Sequence, residues 1–359
     1  MTKPPTYFPQ LTGIRAVAAY MVYLFHVTFP IGAVIQREFH IGVGVFFVLS
    51  GFLIYYRYFE SFEHSRRWWV SYFKNRAARI YPMYLLLSIV TLLSLGAPLR
   101  DWLLSLTFAK GFFHDFYFTG ISQGWSLTVE ECFYFSAPLI FLLFRRHKFV
   151  LPLLMVYGVG LILTLSSQAL GSPYGFFGSF RFTLVNTFLG RAFEFFVGMY
   201  LARLYLKRFQ RAHASDGMAS GQLTMLGLLI TAGLVLWMAS LQTPTELGLN
   251  HPVGIFINNI LLPPAYALVF WGLLTERTIF RRFLSSKPME LLGKSSYVFY
   301  LIHVGPIQMW VSQMGVTLGL DFLSHYMFMF GALNLIAVGL FLWVEEPLNR
   351  RIRRTFGRP

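Results

Sequence analysis

Apolar residues along this chain gather into long runs, separated by short clusters of Arg, Lys and His. Ten runs read as candidate spans, at roughly 13–32, 41–57, 80–96, 131–144, 149–167, 184–204, 223–241, 253–275, 296–314 and 323–345. A helix of about 20 apolar residues crosses a ~30 Å hydrocarbon core. The fourth run is short and is expected to begin earlier, inside "GWSLTVEECFYF" (124–135). The sixth and eighth carry polar residues or prolines (Asn186, Arg191, Glu194; Pro263, Pro264). A span tolerates such interruptions where neighbours or a cavity satisfy the freed backbone groups. The pattern predicts an all-α, polytopic integral membrane helix bundle with about ten transmembrane helices, residues 1–359 forming one domain. Arg15 and His26 inside the first run, and a start whose only basic residue is Lys3, argue against a cleaved leader.

Composition agrees: 56% of residues are hydrophobic and 13% charged, about half the charged share of a soluble domain. A net charge of +15 raises nucleic acid as a partner, and its distribution removes it. One set of alternate loops holds 24 of the 30 Lys and Arg residues, from Lys3 through Arg76, Arg79, Arg145, Arg203, Arg208 and Arg281 to Arg358. The opposite set holds Arg37, Arg100, Lys110, Arg181 and Arg191, with Arg15 inside the first span. This asymmetry predicts both termini in the cytoplasm, an even number of spans, and basic loops resting on anionic lipid headgroups. Nucleic acid is not an expected partner. The single cysteine, Cys132, excludes an intramolecular disulfide. The outer segment 97–130 is too apolar and aromatic for a solvated loop. It is expected to be interfacial or partly re-entrant, or else an aromatic belt at headgroup level.

Candidate chemistry begins with Arg15 and His26. Eleven residues, about three turns, separate them, so they share a helix face ~16 Å apart, Arg15 near the cytoplasmic boundary and His26 past mid-membrane. Snorkelling would account for Arg15 and a hydrogen-bonded core role for His26. Intramembrane ionisable groups are costly, however, and an imidazole titrates where a general base must. Gly42, Gly44 and Gly51 in "IGVGVFFVLSGFLI" (41–54) predict close helix approach. Arg76 and Arg79 in "KNRAARIYP" (74–82) form a pair suited to phosphate, or an ordinary positive-inside flank. Ser126, Glu130 and Tyr134 are spaced four and four, one polar stripe on an apolar helix. Ser296, Tyr300 and His303 repeat the pattern in "SSYVFYLIHVGP" (295–306). "WVEEPLNRR" (343–351) brings Glu345 to about the depth of Arg15, with no other obvious partner for either, so an Arg15–Glu345 ion pair is expected.

Taken together these motifs resemble one family, the integral membrane acyltransferase-3 family, over Pro9 to Arg350. The basic residue, ten intervening residues and histidine match Arg15 and His26. "FFVLSGFLI" is similar to the family's second-span signature and "RAARIYP" to its Arg-x-x-Arg element. "WSLTVEECFY" is similar to its Trp-Ser-Leu-x-Val-Glu block, and "SYVFYLIH" and "VEEP" to its late elements. The chain departs at Gly44, where members often carry an acidic residue, and at Cys132, where Gln is common. No hydrolase-like extracellular domain is expected after the tenth span, so the resemblance is to the stand-alone type.

The resemblance implies a bacterial plasma-membrane O-acyltransferase that moves an acyl group, acetyl first, from acyl-CoA to a hydroxyl of a cell-surface or lipid-linked glycan. On this reading His26 is the general base, with Glu130 or His303 orienting it or relaying its proton, and an acyl-histidine intermediate as a variant. Arg15 and Glu345 belong to the catalytic set. Arg76, Arg79 and Arg15 would hold the donor's phosphates, and Trp125, Ser126, Tyr134 and Tyr300 the acceptor. No metal is expected. The outer aromatics Trp102, Phe112, Phe113, Phe116, Tyr117 and Trp125 would stack on sugar rings or face lipid. A small hydroxylated metabolite is an alternative acceptor. A proton-coupled transporter would also use buried His, Glu and Arg, but no internal repeat of the kind such folds carry is visible.

Overall fold

The computed structural model describes residues 5–27, 33–211 and 221–355. Lys3, Arg358 and the tail of the first predicted span, 28–32, lie outside the described residues. Along the chain run α1 (Pro9–His26), α2 (Ala33–Gln36), α3 (Gly42–Tyr58), α4 (Arg66–Ser94), α5 (Leu99–Leu106), α6 (Trp125–Arg146), α7 (Val150–Leu170), α8 (Phe180–Asn186) and α9 (Phe188–Arg211). Then follow α10 (Gln222–Ser240), α11 (Pro252–Phe256), α12 (Leu262–Thr275), α13 (Ile279–Leu284), α14 (Lys287–Ile302), α15 (Pro306–Thr317), α16 (Phe322–Leu340) and α17 (Glu346–Thr355). Short 3₁₀ and π turns join several of them, and among the described residues the β contact is one isolated bridge, Phe113 to Phe176.

The chain is therefore a multi-pass, all-helical membrane protein. Seven described stretches are long and apolar enough to cross a bilayer: Val34–Tyr58, Arg66–Ser94, Ser122–Arg146, Val150–Leu170, Gln222–Ser240, Pro252–Thr275 and Phe322–Arg354. These correspond to seven of the ten predicted runs. The first run forms α1, in which Gln10, Arg15 and His26 lower the hydropathy. The sixth is cut at Thr187, whose extended backbone (φ −121°, ψ 156°) separates α8 from the polar α9. The ninth is cut between Ile302 and Pro306, where Gly305 takes φ 110°. The third run begins earlier than expected: α4 carries the basic segment 74–82 and runs on through Pro82 into the span. The fourth begins earlier as well, at Trp125, as the sequence suggested.

Two of the helices widen into π turns, at 257–261 and 341–345, each just N-terminal to prolines (Pro263 and Pro264; Pro347). Proline lacks the N–H that would bond residue i−4, and its ring crowds that carbonyl. A π turn absorbs the mismatch, and such bulges recur at functional positions. Asn258 and Asn259 sit on the first and Glu345 on the second, all buried.

The chain divides into two compact units. The first comprises residues up to Ser61, Ala137–Gly160 and Leu189–Lys294. Its core is built on backbone contact at glycines. A Cβ on Gly51 would land on the Phe195 carbonyl, and one on Gly198 on the Val48 carbonyl, so α3 and α9 touch main chain to main chain. Gly42 packs in the same way on Ala18 of α1. In lipid, where apolar surface alone does not drive helices together, such close approach is a main source of packing energy.

The second unit comprises Phe62–Ser136, Leu161–Phe188 and the chain from Ser295 onward. Here the segment 97–124, expected on the outer side, is folded rather than open: α5 and two 3₁₀ turns cover the C-terminal end of α4 and the N-terminal end of α6. Tyr84 donates to the Ser105 carbonyl (2.9 Å) and stacks on Phe108 (4.2 Å). Thr128 donates to the Phe108 carbonyl (2.8 Å). A second loop, 173–177, pairs with it through His114 N–H to the Gly175 carbonyl and Phe177 N–H to the Phe112 carbonyl (both 3.1 Å). Ring pairs Phe112–Phe177, Phe113–Phe176 and Phe116–Tyr174 close the seam. Phe112, Phe113 and Phe116, expected to meet sugar or lipid, thus pack against rings of this second loop.

Candidate active site

In the first unit His26 is the last residue of α1, and its ring is exposed at the helix end. Its Nδ1 lies 2.8 Å from the Val22 carbonyl oxygen, one turn back. A carbonyl only accepts, so Nδ1 carries the proton and the neutral ring's lone pair is on Nε2. The backbone thereby fixes the tautomer that a base needs.

Beside it stands a feature that the sequence analysis missed. The Phe25 ring packs edge-on against both His26 (4.8 Å) and His40 (5.6 Å), and the two imidazoles interact electrostatically. His40 Nε2 donates to Glu38 Oε2 at 3.0 Å. Glu38 is fully buried, and its Oε1 accepts from the Gln242 side chain and from the Gly248 N–H (2.9 Å). Such a carboxylate is held in place by three donors and in turn orients His40. The sequence signal was available, an acid and a histidine two apart at the lip of the second span, but it lies outside the recognised motifs.

The departure at Gly44 also finds its reason in this unit. Arg191 and Glu194, buried one turn apart on α9, make a two-pronged ion pair (2.6 and 2.7 Å), and Arg191 lies over the Phe47 ring. A Cβ on Gly44 would stand 2.7 Å from Glu194 Oε1 and 3.2 Å from Tyr266. An acidic side chain at 44 would fall on a carboxylate already there.

The second unit holds Trp125, Ser126, Glu130, Tyr134, Tyr300, His303, Arg76, Arg79 and Glu345. The Ser126 and Tyr300 hydroxyls meet at 2.7 Å, joining the polar stripes of α6 and α14. His303 lies at the break that follows α14, with its Nδ1 2.7 Å from the Tyr300 carbonyl. It therefore has the same tautomer as His26, with the lone pair on Nε2. The carbonyls freed at this break are met by Gln123, whose side-chain N–H₂ reaches those of Tyr300 (2.9 Å) and Leu301 (3.0 Å). Gln123 was not singled out in the sequence. A helix ending inside a membrane needs such a donor, and that need shows only once the break is seen.

One turn apart on α6, Tyr134 donates to Glu130, and the buried Arg76 guanidinium lies 5.4 Å from the Tyr134 ring centroid. Glu131, also overlooked, is buried beside them, and its Oε1 reaches no donor among the described residues. Trp125 opens α6, half-buried. Arg79 Nη1 is 3.1 Å from Glu345 Oε1, with Tyr297 beneath the guanidinium. Glu345 thus has Arg79 as an ion-pair partner, and the premise that set it against Arg15 does not hold. Arg79 is correspondingly not a bare cation awaiting phosphate. Arg15 lies half-buried on α1 in the first unit.

Two charged groups at the ends of spans are shaped by their surroundings. Lys110, in the outer cap, is fully buried, and its ammonium donates to the carbonyls of Thr119 (2.6 Å) and Ile121 (2.5 Å). Burial, with no counter-charge beside it among the described residues, lowers its pKa from 10.5 to about 7. Gly124, whose Cβ would lie 3.0 Å from the Lys110 Nζ, leaves room for it. Glu276, just past α12, caps the start of α10: its carboxylate accepts from the N–H groups of Leu223 (2.8 Å) and Thr224 (2.9 Å) and from the Thr224 hydroxyl (2.5 Å). Burial raises its pKa and these bonds lower it; the bonds prevail and the value falls below the usual carboxylate range.

Comparison with known proteins gives the family. A family model described as an acyltransferase domain matches residues 8–344. The O-acetyltransferase OatA of Staphylococcus aureus is 24% identical over 324 residues, covering 83% of this chain and 50% of that protein. The peptidoglycan O-acetyltransferase OatA of Listeria monocytogenes is 27% identical over 179 residues, 44% of this chain and 28% of its own length. The chain thus spans about half the length of the Staphylococcus relative. No solved structure matches it.

Proposed function

The chain belongs to the acyltransferase family matched over residues 8–344, and from that premise we propose that it is a membrane O-acyltransferase using His26 as general base. The donor is acyl-CoA, with acetyl first, and the acceptor is a hydroxyl of a cell-surface or lipid-linked glycan. The relative named for peptidoglycan makes a glycan the first acceptor to test. The observation that carries this reading is the bond from His26 Nδ1 to the Val22 carbonyl, which leaves Nε2 as the lone-pair nitrogen.

In this scheme Nε2 takes the proton of the acceptor hydroxyl as its oxygen attacks the thioester carbonyl. A C–O bond forms and the C–S bond breaks. The CoA thiolate leaves, and the imidazolium returns its proton to that sulfur, so the ring ends neutral. His40, aligned by Glu38 and electrostatically coupled to His26, is the imidazole offered to help carry charge. Arg76 and Arg15 are the cations offered to the donor's phosphates, and Arg79 is shared with Glu345. Ser126, Tyr134, Tyr300 and Trp125 are offered to the acceptor. Glu130 and His303, with their own backbone or tyrosine anchors, are the further proton carriers.

The test uses purified protein in lipid nanodiscs, with acetyl-CoA and a soluble glycan fragment, read by release of CoA thiol and by the acceptor's mass gain. His26→Ala is expected to remain folded and to lose transfer by ~10²–10⁴-fold, the usual contribution of a positioned base. Undiminished transfer by His26→Ala overturns the assignment. Substrate flux without thiol release would mean transport instead.

A further inference from the structure

Within the first unit, α9, α12 and the start of α7 enclose a groove of about 540 Å³. Phe149, Leu153, Phe196, Tyr200, Leu204 and Trp271 are among the residues that line it. Its walls are almost wholly carbon, with the Tyr200 hydroxyl and the Trp271 indole N–H as the polar exceptions among these six. Tyr200 and Leu204 are exposed, so the groove is open at the surface of a helix bundle that crosses a bilayer.

One end differs in character. The Arg203 guanidinium lies 5.6 Å from the Phe149 ring centroid, and that of Arg208 lies 5.6 Å from the Trp271 ring. Two of the groove's own aromatic walls are therefore each capped by a cation. The segments 145–148 (Arg-Arg-His-Lys) and 203–211 around this end contain no acidic residue. It is also the end that the basic-loop asymmetry assigns to the cytoplasm.

Dimensions narrow the ligand. On α9 the lining runs from Phe193 to Leu204, eleven steps, or about 16 Å of helix. That is about half of a ~30 Å hydrocarbon core, the depth of one leaflet. A second copy of this chain is a poor occupant, because each copy carries +15 and would bring more cations to this end. We infer that the groove binds an anionic phospholipid of the cytoplasmic leaflet, with an acyl chain along α9 and α12 and its phosphate on Arg203 and Arg208.

The experiment is native mass spectrometry of the full chain released from micelles, with phosphatidylglycerol or phosphatidylcholine of the same acyl chains added. Wild type is expected to retain phosphatidylglycerol preferentially. Arg203→Gln/Arg208→Gln, both at the partly exposed groove end, is expected to weaken phosphatidylglycerol binding ~30-fold, the loss of two basic contacts to an anionic headgroup. It should leave phosphatidylcholine binding unchanged. Ala267→Trp, which fills the groove, should reduce retention of both lipids, with its thermal midpoint checking that it folds. Equal retention of the two lipids by wild type, an unaltered preference in the double variant, or a lipid-free dimer joined through this face overturns the inference.

Discussion

Replacing Arg79 by Met leaves the Glu345 carboxylate, 1% exposed, without the guanidinium 3.1 Å away. At an effective dielectric near 20 the gross attraction at that distance is about 5 kcal/mol, and removing one member of a buried pair costs about 3–5 kcal/mol. Glu345→Met should cost less, about 1–3 kcal/mol, because the stranded Arg79 side chain is 24% exposed and reaches a more polar surrounding. The double replacement removes both charges and fills the space with carbon, a change that is often near neutral. The expected order is therefore unusual: the double variant should be more stable than Arg79→Met alone. Cys132, the only cysteine in the chain, supplies the assay. Its reaction with a thiol-sensitive dye during heating reports opening of α6, in the same unit as the pair, and Arg79→Met should lower the midpoint by roughly 5–10 °C. If the double variant instead loses the sum of the two single losses, the pair is not coupled and the reasoning fails.

Three further outcomes follow from particular contacts. Gly51→Ala and Gly198→Ala should each destabilise by about 1–3 kcal/mol, because the added methyl meets a backbone carbonyl across the α3–α9 crossing. Gly158→Ala, with open space around it, should be neutral or slightly stabilising, and thermal midpoints compare the three. Lys110 binds its proton less tightly folded than unfolded, so its cost is fully present below about pH 7 and is relieved as pH rises toward 10.5. Stability should climb across that window by up to 1.36 kcal/mol per pH unit, and Lys110→Met should flatten the climb in a pH series of unfolding midpoints. Glu276, whose pKa is lowered, contributes stability above the ordinary 4.5 that is lost as pH falls through its folded value. Glu276→Gln should cost about 1 kcal/mol at neutral pH and remove that acid-side loss, checked by the same melts.

The sequence by itself determined that the chain is an all-helical, multi-pass membrane protein and marked the seven stretches long and apolar enough to cross a bilayer, because hydropathy over a helix length is a local property read directly from residue type. It also determined the polar stripes, since Ser126, Glu130 and Tyr134 share a face of any α-helix, and the close approach at Gly51, since only hydrogen there admits a neighbouring carbonyl. Only the tertiary structure decided partners. Depth along the membrane normal can be counted in residues, which made Arg15 a fair match for Glu345. The rotation of each helix about its axis is set by packing, and packing brings Arg79 to that carboxylate. The break after Ile302 was likewise hidden, because its freed carbonyls are tolerable only where Gln123, 177 positions away from Tyr300, comes to meet them. The Glu38–His40 spacing was legible, but what holds the pair was not: its anchors, Gln242 and Gly248, are distant in sequence and adjacent only in the fold.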